Sequence, residues 1–167
     1  MSRRFAIMAV SLALAAAAAD AAPTQDAKVV FTAKDWSVRR IDWSDGAKAC
    51  VAGVTRPDAA LTLWADNRHP LRVQVYDGRW NFRPRSHAVR LQVDAGRPFA
   101  AGTAQLFRQS VIAEVPADAQ GAAFLAALGR GRTVRLLADD GKALQSFSLA
   151  GAQAALGMLT RCAAGLP

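Results

Sequence analysis

The chain has 167 residues, a formal charge of +8 and 52% apolar residues, with two cysteines and two histidines. That length suits one domain around one core rather than several. The histidines and cysteines show no metal-ligand spacing, and one Cys with one His cannot assemble a zinc site, so no metal and no cofactor is expected.

In chain order, Ser2-Arg3-Arg4 precedes an uncharged apolar run over residues 5–19 and then the small residues around Ala19-Asp20-Ala21. A positive start, an apolar middle and a small-residue site make a secretory signal, so residues 1–21 are expected to be cleaved after Ala21, with Ala19 nearly as good. The run is about 15 residues, short of the ~20 that span a bilayer, so no stable membrane span is expected after cleavage. No cysteine follows the run, which speaks against a lipoprotein anchor. The expected location is a bacterial periplasm or the cell exterior, and the remaining chain carries +7.

Residues 22–27 read as a flexible leader, and residues 28–167 as a single β-sandwich domain. Short strands are expected at 28–32, 36–43, 47–54, 61–64, 71–76, 89–93, 105–107 and 111–115, separated by turn residues. The run 71–76 alternates cleanly, with Leu71, Val73 and Val75 inward and Arg72 and Gln74 outward. Asp77-Gly78 is the strongest hairpin-turn signal in the chain. From Pro116 the period changes. Asp118 is positioned to cap a helix over 119–128 that ends at Gly129, with Ala122, Leu125 and Leu128 on its apolar face. A hairpin over 134–137 and 144–149 follows. A second helix over 152–164 repeats Ala152, Ala155, Leu156, Leu159 and Cys162 at three- and four-residue steps. The reading is mainly β, an antiparallel β-sandwich or open barrel with two short helices in the C-terminal third.

Two cysteines in an oxidising compartment pair, so Cys50 and Cys162 are expected to form a disulfide from an early strand to the last helix. Closing a loop of that size stabilises by about 4–5 kcal/mol in the chain-entropy model.

No catalytic constellation stands out, and the protein is read as not an enzyme. His69 and His87 sit in turn-like stretches. None of Ser37, Ser44, Ser86, Ser110, Ser146 and Ser148 lies in a nucleophile-elbow motif. Most acids occupy turns, where aspartate commonly caps local backbone groups. Gly129-Arg130-Gly131-Arg132 lacks the lysine and the strand–loop–helix order of a phosphate loop.

The most suggestive patch is Arg79-Trp80-Asn81-Phe82-Arg83-Pro84-Arg85, within a span, 66–108, that holds eight arginines against Asp66, Asp77 and Asp94. Arginine and aromatic residues together are what interfaces favour. Arg79, Trp80, Phe82, Arg83 and Arg85 are therefore the candidate partner surface. The competing reading packs Trp80 and Phe82 inward and leaves the arginines solvated.

The arrangement Asp35-Trp36-Ser37-Val38, Cys50-Val51-Ala52, Phe147-Ser148-Leu149-Ala150-Gly151, Ala154-Ala155-Leu156 and Cys162 resembles the invasion-associated locus B family of exported bacterial proteins. The resemblance implies an immunoglobulin-like β-sandwich, periplasmic or surface exposed, with Cys50 and Cys162 matching the family's paired cysteines. It implies no enzymatic activity, and this chain departs from the pattern in its Arg-rich centre. The expected function is an exported binding or accessory protein of the envelope. Its partner is a protein or an anionic envelope component, not nucleic acid. The alternative is a periplasmic inhibitor or immunity protein that blocks a hydrolase.

Overall fold

The computed structural model describes residues 24–166, so the expected signal segment lies outside the described residues. Ten strands and two helices run in the order β1 (Gln25–Ala33), β2 (Trp36–Trp43), β3 (Lys48–Thr55), β4 (Ala59–Asp66), β5 (Arg72–Asp77), β6 (Phe82–Val93), β7 (Phe99–Arg108), β8 (Ser110–Glu114), α1 (Ala119–Arg130), β9 (Thr133–Leu137), β10 (Ala143–Ser148) and α2 (Ala152–Ala164). The expected mainly β, antiparallel chain with two late helices is present. The strands form one sheet in the order β1-β2-β3-β4-β5-β8-β7-β6-β9-β10, curled into a half-barrel.

Three local expectations are corrected. Gln25 to Ala27 are not leader but the start of β1, where Gln25 pairs with Trp43 and Ala27 with Ile41. Asp77-Gly78 does not close a hairpin between neighbouring strands, because β8 and β7 lie between β5 and β6. The sequence 5-8-7-6 is a Greek-key order, in which three hairpin-linked strands fold back beside the fourth. On α1 the expected Leu128 is buried and Leu125 packs against the core, but Ala122 is exposed and Gly121 and Phe124 complete the buried face instead. Phe124 turns inward to stack on Phe99 of β7 at 4.3 Å between ring centroids.

The core lies on the concave face. Trp36 and Val38, Cys50, Ala52 and Val54, and Leu61 and Leu63 alternate along β2, β3 and β4, and α2 packs against them with Ala152, Ala155 and Leu159. The Cys50–Cys162 disulfide spans 112 positions with the Cα atoms 6.0 Å apart. It binds the third strand to the last turn of the last helix, as the sequence reading expected. Strand β3 is buried on both faces. Its outward residues Ala49, Val51 and Gly53 are small, and side chains on the flanking strands cover them. Val51 lies opposite Arg39 on one side and Trp64 on the other. Gly53 is required there, since a Cβ would come within 2.8 Å of the Thr62 methyl group and closer still to the Leu61 carbonyl.

Both helix starts are fixed by local chemistry. The Asp118 carboxylate accepts from the backbone N–H of Gln120 and Gly121, each at 2.9 Å, satisfying two otherwise orphaned donors. Gly151 opens α2 at φ +98°, and a Cβ there would collide with the Ala33 carbonyl. Two hydrogen bonds join the start of β2 to the end of β10 and the residues after it. The Trp36 indole donates to the Ser148 carbonyl at 2.9 Å, and the Asp35 N–H donates to the Ala150 carbonyl at 3.2 Å.

Candidate functional site

Three connections meet at one end of the sheet. The β3–β4 turn meets the β5–β6 connection where the Gly78 N–H donates to the Asp58 carbonyl at 2.8 Å. The β7–β8 turn joins them: Asp77 N–H donates to the Gln109 carbonyl at 3.0 Å, and the Gln109 amide donates to the Gly78 carbonyl at 3.3 Å. The Greek-key crossing makes this possible, because the short 78–81 connection must pass over the tip of the β7–β8 hairpin. Residues far apart in sequence thereby lie at one end of the sheet: Arg56, Arg79, Arg83, Arg85 and Arg108, with Trp80, Phe82 and Phe107.

The candidate residues divide into two groups. Trp80 and Phe82 are half-buried, pack against the core and lie 5.2 Å apart between ring centroids. To that extent the inward-packing reading holds. Arg79 is tied down by the buried carboxylate of Asp77. Its Nε donates at 3.0 Å, its terminal nitrogen at 2.7 Å and its backbone N–H at 2.9 Å. The Oδ2 atom that accepts from the Arg79 terminal nitrogen also accepts from the side-chain amide of Gln145, whose oxygen accepts from Arg56 at 2.6 Å. Arg56 also lies over the Phe147 ring at 4.8 Å. This chain of bonds clips β10 onto the β3–β4 turn, and the cleft above it measures about 500 Å³.

The electrostatics follow the geometry. The Arg79 side chain holds the Asp77 carboxyl far below the usual carboxylate range, and the backbone N–H of Arg79 and the amide of Gln145 assist against the opposing effect of burial. Asp77 in turn raises the pKa of the Arg79 guanidinium. Arg79 therefore serves the fold first.

Arg83 and Arg85 are exposed on β6, whose first residues extend seven positions beyond the expected strand. The Arg85 guanidinium sits 5.9 Å over the Phe82 ring. Sequence reasoning missed the partner of this pair. Phe107 is 47% exposed and Arg108 lies 5.2 Å over its ring. Arg108 takes φ +51° in a turn that contains no glycine, so no turn signal marked it. Among the described residues, no carboxylate forms an ion pair with Arg56, Arg83, Arg85 or Arg108.

The histidines lie apart from this surface. His69 is an exposed loop residue whose Nδ1 is 3.0 Å from Asp66. His87 lies in β6, not in a turn, with Nε2 3.1 Å from Asp139. The adjacent Ser86 instead exchanges hydrogen bonds with Gln105. The Asp66 carboxyl is held below its ordinary range. Burial would raise it, but hydrogen bonds from the Arg68 and His69 N–H groups and the His69 ring prevail, with Arg72 assisting. No group of three His, Cys, Asp or Glu residues among the described residues is placed to hold a metal ion.

Compared with known proteins, the chain matches no family model, no curated protein and no solved structure.

Proposed function

We propose that this protein is an exported, non-enzymatic binding protein of the bacterial envelope, similar in kind to the invasion-associated locus B proteins. The basic and aromatic end of its sheet faces the partner, a protein or an anionic envelope component. The observation that carries the reading is the convergence of three turns that leaves Arg83, Arg85 and Arg108 exposed and without ion pairs, beside the exposed ring of Phe107. Exposed arginines on a rigid base keep their charge for an external anion, and their planar heads suit carboxylate or phosphate.

The resemblance is supported by the final helix, whose cysteine bonds to Cys50, while Trp36 leads the second strand where the family pattern has a tryptophan-led first strand. An immunoglobulin-like layering is part of the same proposal. The bond from the Trp36 indole to the Ser148 carbonyl favours it, because it sets the two ends of the curled sheet against each other. Secretion through the 1–21 segment supplies the compartment in which the disulfide persists.

The test is capture from envelope extract by wild type and by an R83A/R85A/R108A variant. The reading predicts a partner retained by wild type and lost by the variant at unchanged thermal stability. Equal capture by both would overturn it.

A further inference from the structure

We infer that the ligand of this end is the anionic lipid surface of a membrane, its phosphate headgroups met by arginine and its interface entered by Phe107 and Leu144. The inference rests on the binding reading above and names the class of partner.

Charge argues first. Arg79 and Asp77 neutralise each other, and among the described residues no carboxylate forms an ion pair with Arg56, Arg83, Arg85 or Arg108. The basic area has a visible limit along β6, where His87 meets Asp139.

The apolar residues argue second. Four large apolar residues are exposed among the described residues: Val29, Val30, Phe107 and Leu144. Phe107 belongs to the basic end, and Leu144, 48% exposed, lines the cleft shared by Arg56 and Arg79. Trp80 and Phe82 are already half spent on the core. Two separated apolar side chains among arginines do not form the clustered, desolvated centre of a protein–protein hot spot. They do match the two signals that hold a peripheral protein on a bilayer, a shallow apolar insertion and a polybasic patch. Arg108 stacked beside Phe107 keeps its charge at headgroup depth while the ring enters the interface.

Rigidity argues third. The ring sits on a tight turn fixed by bonds to the β5–β6 connection, so little ordering is needed on contact.

The experiment is cosedimentation with vesicles of phosphatidylcholine alone and of phosphatidylcholine mixed with phosphatidylglycerol. Wild type is expected in the pellet only with the anionic mixture, and binding should weaken as salt rises. Each arginine removed should lower partitioning about fivefold, so R83A/R85A/R108A should lose on the order of a hundredfold. F107S should lose partitioning with its thermal midpoint unchanged. Excess inorganic phosphate at constant ionic strength should leave binding intact. Displacement by phosphate, equal pelleting with both vesicles, or variants that bind like wild type would overturn the inference. If vesicles fail while R83A/R85A/R108A still loses an envelope protein, the lipid class is overturned and the binding surface stands. If that variant also captures the same partners as wild type, both readings are overturned.

Discussion

The first four strands and the β6–β7 arm are built from similar residues and put them to opposite use. In β2 to β4 the arginines lie along the sheet. Arg39 helps cover Val51, and Arg40 pairs with Asp42 at 3.1 Å. Strand β3 is buried on both faces, and α2 and the disulfide close over one of them. In the arm, residues Arg83 to Ala88 are all exposed and β9 pairs only with Arg90 to Val93. One region spends its side chains on stability. The other is held by pairing with β7, where Ala104 and Leu106 are buried, and keeps its charges free. A clean division means that mutations should separate the two properties.

The largest break is at the disulfide. Cys50→Ser with Cys162→Ser is expected to lower unfolding free energy in urea by about 4–5 kcal/mol. A variant as stable as wild type would show that α2 docks without the crosslink. Gly151→Ala comes next, at about 3 kcal/mol, because a non-glycine residue at φ +98° is strained and its Cβ meets the Ala33 carbonyl. Equilibrium denaturation measures it.

Gln145→Leu removes the link between Arg56 and Asp77 and is expected to cost about 2 kcal/mol, since a buried carboxylate loses a donor. The same site gives a pH signature. The folded Asp77 carboxyl lies below its ordinary value of 3.8, so its stabilising contribution is complete above that pH and is lost as pH falls through the folded value. Thermal midpoints of Asp77→Asn should therefore fall less steeply on acidification than those of wild type. Asp118→Ala, which removes the cap of α1, should cost about 1 kcal/mol. The smallest stability effect belongs to R83A/R85A/R108A, within about 0.5 kcal/mol, and calorimetry on the same sample checks it.

Particular residues show what was legible. The bounds of β2 and α2 follow from their periodicity, two in Trp36-Ser37-Val38 and three to four in Ala152-Ala155-Leu159, because one face of each is committed to the core. The Asp118 cap was legible from its residue type ahead of an apolar period, and the cysteine pair from the presence of two cysteines in a chain read as exported. The first half of β6 was not. Arg83-Pro84-Arg85 carries no alternation, and the strand is held by β7 instead. Asp77-Gly78 did mark a turn, with the Asp77 carboxylate accepting from the Arg79 N–H. Which strand lies beside β5 is a long-range matter, decided by the β7–β8 hairpin returning to it. The site inherits that difficulty. Arg83 and Arg85 were visible as a run, whereas Phe107 and Arg108 reach them through the long β6–β7 hairpin, which pairs Phe82 with Arg108.

Chemical footprinting of arginine on intact envelope vesicles tests the division most directly. Wild-type protein, with and without vesicles, is treated with an arginine-selective dicarbonyl and mapped by mass spectrometry. Vesicles are expected to protect Arg83, Arg85 and Arg108 while Arg39 and Arg130 react as in free protein. Protection centred on Arg39 or Arg130, or no protection at the arm, would contradict the account.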